Sequence, residues 1–376
     1  MIRLGLIIIF LLLALLAVFK APEYHLWLLA IAVTEFPLIF VAITLAILLA
    51  GFIPQRFQLS GTIIGLIALL LYLSPIVRSF IVAKNLKQEM SAIFGKMNSS
   101  QPPLSFGALF SGSGKALPYQ TLTYVTYADT AMKLDYYHSQ ISGKRPCVIV
   151  IHGGSWAGGN SQQLPELNTV LAKKGYNVAS INYRMAPKYQ SPAPVEDVKA
   201  ALNYLRQHAE ALQIDTGNFV LLGRSAGAQI ALLAAYTLHD ISLKGVIDFY
   251  GPADMVWGYS IPSNPLIMNS RKVMENYLGG AYQKVPQNYV NSSPLEFVDH
   301  QSVATLIIHG HNDVLVAYEH SRRLNEKLQQ NKIKHYWLKL PWATHGFDYN
   351  LNGPGGQLST YAVEYFLSSI TTQPQL

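Results

Sequence analysis

Residues 219–236, FVLLGRSAGAQIALLAAY, give the clearest indication of the fold. The first residues form a short apolar run typical of a buried strand, and AQIALLAAY is typical of an apolar helix. The pentapeptide GRSAG (223–227) stands between them. A serine at such a sharp turn needs small neighbours, because larger side chains would clash with the strained backbone. We therefore interpret Ser225 as a candidate nucleophile beside a helix N-terminus that favours negative charge.

Short β-rich runs alternate with helical stretches on both sides of this motif. Strands are predicted at 121–127, 132–137, 147–152, 176–183, 219–223, 243–250, 304–310 and 334–340, and helices near 163–174, 195–212, 226–238, 317–331 and 357–370. This alternation indicates an α/β fold with a mostly parallel, doubly wound sheet and an antiparallel pair at one edge. We expect a catalytic domain over 119–376, with a cap-like insertion near 252–300 and its site at the carboxyl ends of the strands.

A second glycine-rich turn, HGGSW (152–156), follows an earlier strand. Acyl transfer needs backbone N–H donors opposite the nucleophile, and glycine lets the main chain approach a substrate oxygen closely. We expect Gly153 or Gly154 to form an oxyanion hole together with Ala226. The residues expected to line the substrate pocket are His152, Ser155, Trp156 and Arg224.

A serine hydroxyl needs a base at neutral pH, and the base needs a carboxylate that orients it. Asp313 follows the strand at 304–310, and His345 follows the next strand along the chain. These two residues are the predicted acid and base of a triad with Ser225. Asp248 and Asp254 flank the end of the preceding strand and remain alternative acids.

The composition excludes several other classes of site. No His/Cys cluster has metal-ligand spacing, and neither a phosphate-binding loop nor a dinucleotide fingerprint is present, so we expect no metal and no cofactor. The net charge of +7 comes from 28 basic and 21 acidic residues that form no long basic block. A nucleic-acid partner is therefore not expected, whereas anionic lipid headgroups suit this charge. The sequence does not indicate an oligomeric state.

The N-terminal third is far more apolar than the rest of the chain. Its three apolar stretches are residues 4–19, 26–53 and 61–82. A cleaved signal peptide would not be followed by two more such stretches, so residues 1–83 are predicted as a membrane anchor of about three transmembrane helices. Glu35 is interpreted as the position where the middle helix begins. Residues 84–118 are predicted as a juxtamembrane helix followed by a linker.

Positive charges beside the apolar stretches predict the orientation of this integral membrane protein. Arg3 and Arg56 would share one side of the membrane, while Lys20, Lys84 and Lys87 would share the other side with the catalytic domain. The positive-inside rule then favours a cytoplasmic catalytic domain, by the margin of a single charge.

The region from about 120 to 370 resembles the α/β-hydrolase family. Its carboxylesterase branch is the most similar, with hormone-sensitive-lipase-like, acetyl-esterase-like and prenylcysteine-methylesterase-like enzymes. The resemblance rests on HGGSW at 152, NYRMAP at 182, GRSAGA at 223, HGHND at 309 and THGF at 344. It implies Ser225 as nucleophile, Asp313 as acid and His345 as base in an esterase. Many lipase-like members carry a third glycine where this chain has Ser155.

Three functions remain open at this point. The resemblance implies hydrolysis of short-chain or lipid-like esters, and membrane-bound members suggest lipid or prenyl-linked esters. A peptidase or amidase would use the same three residues. A membrane-bound binding protein without turnover is the alternative from another class.

Overall fold

The computed structural model describes residues 2–52, 57–96, 101–112 and 114–371. The strands in these ranges are β1 Gln120–Thr126, β2 Ala131–Tyr137, β3 Arg145–Ile151, β4 Asn177–Ile181, β5 Ile214–Arg224, β6 Leu243–Phe249, β7 Ala304–Gly310 and β8 His335–Leu340. They form one sheet in the order β1-β2-β4-β3-β5-β6-β7-β8. Strand β2 runs antiparallel to both of its neighbours, and the other pairs are parallel. The predicted mostly parallel sheet is confirmed.

Helices cover both faces of the sheet. In chain order they are α1 Ile2–Ala14, α2 Tyr24–Glu35, α3 Pro37–Leu49, α4 Gln58–Phe94, α5 Glu166–Lys173, α6 Ala193–Gln207, α7 Ala209–Leu212, α8 Ala226–Thr237, α9 Met255–Ser260, α10 Ser270–Leu278, α11 Pro286–Asn291, α12 Glu319–Gln330 and α13 Pro354–Ile370. Successive strand residues face opposite sides of a sheet. Ile149 accordingly packs in a core with α6, α8 and α12, whereas Val148 packs in a core with α5 and α13.

The segment between β6 and β7 contains the short helices α9, α10 and α11. This is the region near 252–300 that the sequence predicts as a cap-like insertion. Asp254 accepts a hydrogen bond from the Trp257 N–H at 2.9 Å and so caps α9. The insertion contributes Pro252, Ile261 and Met274 to a cavity at the carboxyl edge of the sheet, where Ser225 also lies.

The middle apolar stretch, which the sequence predicts as a span, is not one continuous helix. It is divided at Phe36 into α2 and α3, which meet at an angle of 87°. Pro37 explains the break, because proline has no N–H to donate and its ring disfavours a helical conformation at the preceding residue. A helix does begin beside Glu35, at Pro37, but Glu35 itself ends α2. We call this break the α2–α3 elbow.

Helix α4 is longer than predicted. It has 37 residues and passes residue 83, the expected limit of the anchor, without interruption. Among the helices in the described ranges, α4 alone is long and apolar enough to cross a membrane, and the bent pair α2–α3 is a second if it is taken as one span. By length and composition, one or two segments of the described ranges could cross a membrane, and α1 with its following turn is a shorter apolar helix. The anchor of about three transmembrane helices stays a prediction. Arg56 lies outside the described residues.

Helices α1, α3 and the first half of α4 form a bundle. The hydroxyl of Tyr72 in α4 donates to the Phe10 carbonyl of α1 at 2.7 Å, and its ring stacks on Phe40 of α3 at 5.2 Å. Arg3 marks the far end of this bundle, where its guanidinium donates to the Ile47 carbonyl at 3.0 Å. Arg78 marks the end that meets the catalytic domain, since it donates to the carbonyls of Ala17 in the N-terminal segment and Pro341 in the catalytic domain. Beyond this point, α4 packs against α13.

Helix α2 lies directly on the catalytic domain. The Trp27 indole N–H donates to the carbonyl oxygen of His345 at 3.0 Å. At the other end of the helix, the Glu35 carboxylate accepts from the Gly355 N–H at 2.8 Å, and the Asn350 amide donates to the Glu35 carbonyl at 2.7 Å. The N-terminal segment is therefore packed against the carboxyl edge of the sheet, where the predicted site residues lie.

Candidate active site

The turn between β5 and α8 holds Ser225 in a strained conformation. Its φ of 53° and ψ of −122° are rare for a residue with a side chain. A Cβ atom on Gly223 would lie 2.3 Å from the Gly227 carbonyl oxygen, and one on Gly227 would lie 2.3 Å from that of His152. The two glycines flanking the serine are thus required by space. The Ser225 N–H donates to the Phe249 carbonyl at 2.9 Å and ties the turn to β6.

The acid and base predicted from the sequence are in contact. Asp313 Oδ2 lies 2.6 Å from Nδ1 of His345 and 3.1 Å from Nε2 of His309. The other carboxylate oxygen accepts from the backbone N–H groups of Leu315 at 2.8 Å and Val316 at 2.9 Å. These contacts hold the carboxylate in one position. The His345 ring therefore has one preferred orientation, with Nδ1 directed at Asp313.

The environment of Asp313 keeps its carboxyl group ionised. Burial alone would raise its pKa, but the neighbouring His345 and the hydrogen bonds from His309 and His345 hold the pKa well below the usual range. His309 is held in turn by the Ser321 hydroxyl, 2.6 Å from Nδ1. Sequence reasoning did not identify His309 as a partner of the acid, although its position four residues before Asp313 was a signal.

The two alternative acids have other partners. Asp248 is buried, accepts from the Gly251 N–H at 2.7 Å, and has its pKa raised to about 7 by burial. Asp254 forms an ion pair with Arg323 at 2.7 Å in addition to capping α9. Within the described part of the chain, Asp313 is the carboxylate that contacts His345.

The glycine-rich turn after β3 packs against the nucleophile. A Cβ atom on Gly153 would lie 3.3 Å from Cβ of Ser225. The Gly153 N–H donates to the side-chain oxygen of Gln163 at 2.7 Å. The sequence did not predict this hydrogen bond. The N–H groups of Gly154 and Ala226 have no acceptor among the described residues. Of the three expected oxyanion-hole donors, Gly154 and Ala226 are therefore free, and Gly153 is engaged.

Ser155 and Trp156, which the sequence predicts as pocket residues, line a cavity beside Ser225. The Ser155 hydroxyl donates to the Met268 sulfur at 3.6 Å. Trp156 donates from its indole to the Gln229 side chain at 2.9 Å and stacks on Tyr277 at 4.5 Å. The indole is thereby fixed as a wall of the cavity.

The prediction that His152 lines the pocket is wrong. Its ring is buried behind the turn, stacks on Tyr183 at 4.4 Å, and lies 2.7 Å from the Gly153 carbonyl oxygen. Burial lowers its pKa to about 4, so the ring is neutral near pH 7. His152 supports the turn from within the core.

Arg224 does line a cavity, but it also belongs to a buried network. Its Nε donates to Asp348 at 2.5 Å, and the Tyr250 hydroxyl donates to the other oxygen of that carboxylate at 2.5 Å. The Tyr250 ring lies 4.3 Å from the His345 ring. Asp348 and Tyr250 were not predicted, because contacts across 124 and 98 residues leave no local pattern in the sequence.

Two cavities meet at Ser225. The first, which we call the insertion-side cavity, has a volume of 410 Å³ and is walled mainly by residues of the insertion, with Lys20, Ala21 and Pro22 of the N-terminal segment at one side. The second, which we call the α2-side cavity, has a volume of 590 Å³. It contains Ser225, His345 and Gly154, and its outer wall is a single face of α2 with the first residue of the elbow: Tyr24, Trp27, Leu28, Ile31, Ala32 and Phe36. The sequence did not predict that the N-terminal segment reaches the reaction centre.

Over the described ranges, no group of three or more His, Cys, Asp or Glu side chains could hold a metal ion.

The sheet topology, the strained serine and the paired Asp and His define an α/β-hydrolase. A family model with the description BD-FAE matches residues 134–328, more than half of the chain. The chain therefore belongs to the BD-FAE family, which places it among the α/β-hydrolase carboxylesterases and confirms the resemblance found in the sequence.

Two curated relatives come from Mycobacterium tuberculosis. The chain is 27% identical over 249 residues to the probable carboxylic ester hydrolase LipM, which covers 61% of this chain and 56% of LipM. It is 28% identical over 242 residues to the esterase LipC, covering 60% of this chain and 58% of LipC. The chain thus spans little more than half the length of either relative.

Solved structures confirm the fold. EstE1, a thermostable carboxylesterase cloned from a metagenomic library, is similar with a TM-score of 0.61 and 17% sequence identity. The match covers 78% of this chain and 98% of EstE1. At this identity the similarity establishes the α/β-hydrolase fold alone.

Proposed function

We propose that this protein is a membrane-anchored serine hydrolase that cleaves carboxyl esters through an acyl-enzyme. The observation that carries the proposal is the 2.6 Å contact between Asp313 and His345. His345 and the strained Ser225 line one cavity, beside a glycine turn with a free N–H. Both relatives from Mycobacterium tuberculosis bear names of ester hydrolases, which favours an ester over an amide as substrate.

The residues in the α2-side cavity have clear roles in such a reaction. His345 accepts the Ser225 proton as the oxygen attacks the ester carbonyl, and the N–H groups of Gly154 and Ala226 stabilise the negative charge that develops. The C–O bond then breaks, and His345 returns its proton to the alcohol. Water, deprotonated by His345, releases the acid and restores the serine. Asp313 keeps the ring oriented and stabilises the imidazolium in both steps.

The N-terminal bundle is the anchor in this proposal. Large apolar side chains project outward from α1, α3 and α4, and more than half of the surface of Leu12, Ile39, Leu49, Leu59 and Leu70 is exposed. So many exposed apolar side chains favour a lipid surrounding over water. Lys20 lies at the bundle end near the catalytic domain and Arg3 at the other. Together with Lys84 and Lys87, this distribution supports a cytoplasmic catalytic domain.

The full-length protein, purified in detergent, allows the catalytic proposal to be tested with p-nitrophenyl butyrate and a fluorophosphonate probe. Ser225→Ala should abolish both turnover and labelling, whereas Ser260→Ala, at an exposed serine on α9, should retain both. Undiminished turnover by Ser225→Ala would refute the assignment. Faster cleavage of aminoacyl p-nitroanilides than of esters would indicate an amidase, and a wild-type protein that neither hydrolyses these substrates nor becomes labelled would indicate a binding protein.

The membrane anchor is tested separately. Release of the protein from membranes by alkaline carbonate would refute it.

A further inference from the structure

A third cavity continues the α2-side cavity along α3. It has a volume of 940 Å³, and we call it the α3 groove. Leu38, Ile39 and Ala42 of α3 form one wall, and Leu109 and Phe110 form part of the other. The two cavities have four lining residues in common at the α2–α3 elbow, namely Phe36, Gln163, Leu164 and Tyr349. The α3 groove and the α2-side cavity therefore adjoin each other at Phe36, and the second of them reaches Ser225.

The elbow sets the direction of this passage relative to a membrane. Helix α3 packs antiparallel to the first half of α4, since Phe40 meets Tyr72 and Leu48 meets Gly65. A bilayer crossed by α4 therefore also surrounds α3. Because α2 is turned by 87° from α3, it lies close to the plane of the membrane surface, between the bilayer and the catalytic domain. The α3 groove then faces lipid tails, and the α2-side cavity lies above them.

The side chains at the mouth of the passage suit such a position. Phe36, Ile39, Phe110 and Tyr349 are all exposed, at 36%, 56%, 69% and 65%. They come from three separate segments of the chain, with Phe36 and Ile39 in the same one, and all four line the α3 groove. Aromatic residues at the boundary between lipid and water are a common feature of membrane proteins, whereas a cluster of this kind on a water-facing surface is unusual.

Building on the esterase function proposed above, we propose that the substrate is an ester with a long aliphatic chain that is taken directly from the bilayer. The chain passes along the α3 groove and past Phe36 into the α2-side cavity, which brings the ester carbonyl to Ser225. Ile31 and Ala32 of α2 contact the aliphatic chain and determine the preferred length. The N-terminal segment is then part of the substrate site as well as an anchor.

The size and polarity of the α2-side cavity fit this occupant. Its 590 Å³ lies within the range of about 300–1,000 Å³ that is typical of small-molecule sites. Leu28, Ile31 and Ala32 present an apolar surface at a distance from the polar groups around Ser225. Burial of each methylene group is expected to raise kcat/KM by up to about fourfold until the cavity is full.

The first test compares two tryptophan substitutions on α2. Ala32 lines the α2-side cavity, whereas Leu29 lies on the outer face of the same helix and lines none of the three cavities. Full-length protein in nanodiscs is assayed with p-nitrophenyl esters from acetate to palmitate. Ala32→Trp should lower the ratio of kcat/KM for dodecanoate to that for acetate by about tenfold or more. Leu29→Trp should leave this ratio as it is in the wild type.

Two results would separate the substrate proposal from the esterase proposal. A wild-type enzyme that hydrolyses acetate, shows no gain with chain length and responds equally to both substitutions would overturn the long-chain substrate and leave the esterase intact. A wild-type enzyme that hydrolyses no ester would overturn the esterase itself.

The second test examines the route from the membrane. Ala42 lines the α3 groove, and Ala46, one turn further along α3, does not. With p-nitrophenyl palmitate incorporated in phosphatidylcholine vesicles that contain the full-length protein, Ala42→Trp should slow hydrolysis several-fold relative to Ala46→Trp. The two variants should hydrolyse water-soluble p-nitrophenyl acetate equally fast. Equal rates on the vesicle-bound ester would overturn the route along α3.

Discussion

The insertion-side cavity and the α2-side cavity meet at Ser225, but they differ in the region that supplies most of the wall. The insertion contributes most to the first, with Lys20, Ala21 and Pro22 at one side, and α2 contributes most to the second, with Ile267 and Met268 of the insertion. The insertion belongs to residues 134–328, the part that matches the BD-FAE family. Helix α2, with residues 24–35, lies outside that match. Ser225, Asp313 and the insertion therefore lie within the family match, whereas the base His345 and the α2 wall lie outside it. Changes at the shared centre should affect all substrates alike, and changes on the α2 side should affect some substrates more than others.

Asp313→Asn should cause the largest loss of activity, and this loss should not depend on which cavity the substrate occupies. Loss of the charge that orients His345 is expected to lower kcat by up to about 10⁴-fold for short and long esters equally. Steady-state kinetics on p-nitrophenyl acetate and dodecanoate measure both. Asp248→Asn is the matched control, and a loss of only a few-fold in the Asp313 variant would return Asp248 and Asp254 to consideration.

Asp348→Asn should have the next largest effect, which is a loss of stability. Its partner Arg224 lines the α2-side cavity. The substitution leaves Arg224, which is 2% exposed, without the carboxylate that balances its charge. Breaking a buried ion pair in this way typically costs about 3–5 kcal/mol of stability. Denaturant unfolding in detergent measures the loss. Asp129→Asn, which removes an exposed partner of Lys188, should change stability little, and an equal loss in both variants would contradict the importance of the buried network.

Glu35→Ala should show most clearly whether the two cavities contribute differently to substrate binding. It removes the acceptor of the Gly355 N–H, and a buried donor left without a partner costs about 1–3 kcal/mol. This loosens the end of α2 and should lower the ratio of long-chain to short-chain kcat/KM. Glu35→Gln keeps an oxygen acceptor and should restore most of that ratio. If Glu35→Ala reduced all esters to the same degree, α2 would have no separate role in binding substrate.

The last prediction concerns the dependence of stability on pH and a carboxyl group beneath the insertion side. Burial raises the pKa of Asp248 from 3.8 to about 7, so the folded protein holds a proton there that the unfolded chain has released. This difference makes stability fall as pH rises from about 4 to about 7. Asp248→Asn removes the contribution, so its unfolding temperature relative to the wild type should increase between pH 4.5 and 7.5. A difference that is constant with pH would contradict the raised pKa.

The catalytic domain was predictable because its pattern is local. Alternating apolar runs gave the strands and helices, and the glycines around Ser225 are required by backbone contacts that small residues alone permit. The pairing of Asp313 with His345 followed from their positions after successive parallel strands. His152 was misplaced because its role depends on stacking with Tyr183, which no local pattern encodes.

The N-terminal segment was less predictable because its arrangement depends on distant contacts. Residues 26–53 form one apolar stretch, and Pro37 was the one local signal of the elbow. The partners that hold α2 in place, His345 and Gly355, lie 318 and 320 residues further along the chain. Apolarity predicted a lipid environment for the whole stretch, but it could not show that one half of it turns back onto the catalytic domain.

The bond from Trp27 to the carbonyl of His345 has a practical meaning for biochemical work on this protein. A version shortened at its beginning to gain solubility would keep the nucleophile, acid and base, yet the loop that carries the base would lose a neighbour and the reaction centre would be open on one flank. Substrate screens on such a version would favour small, water-soluble esters. The substrate preference found in this way would belong to the family domain and not to the intact protein.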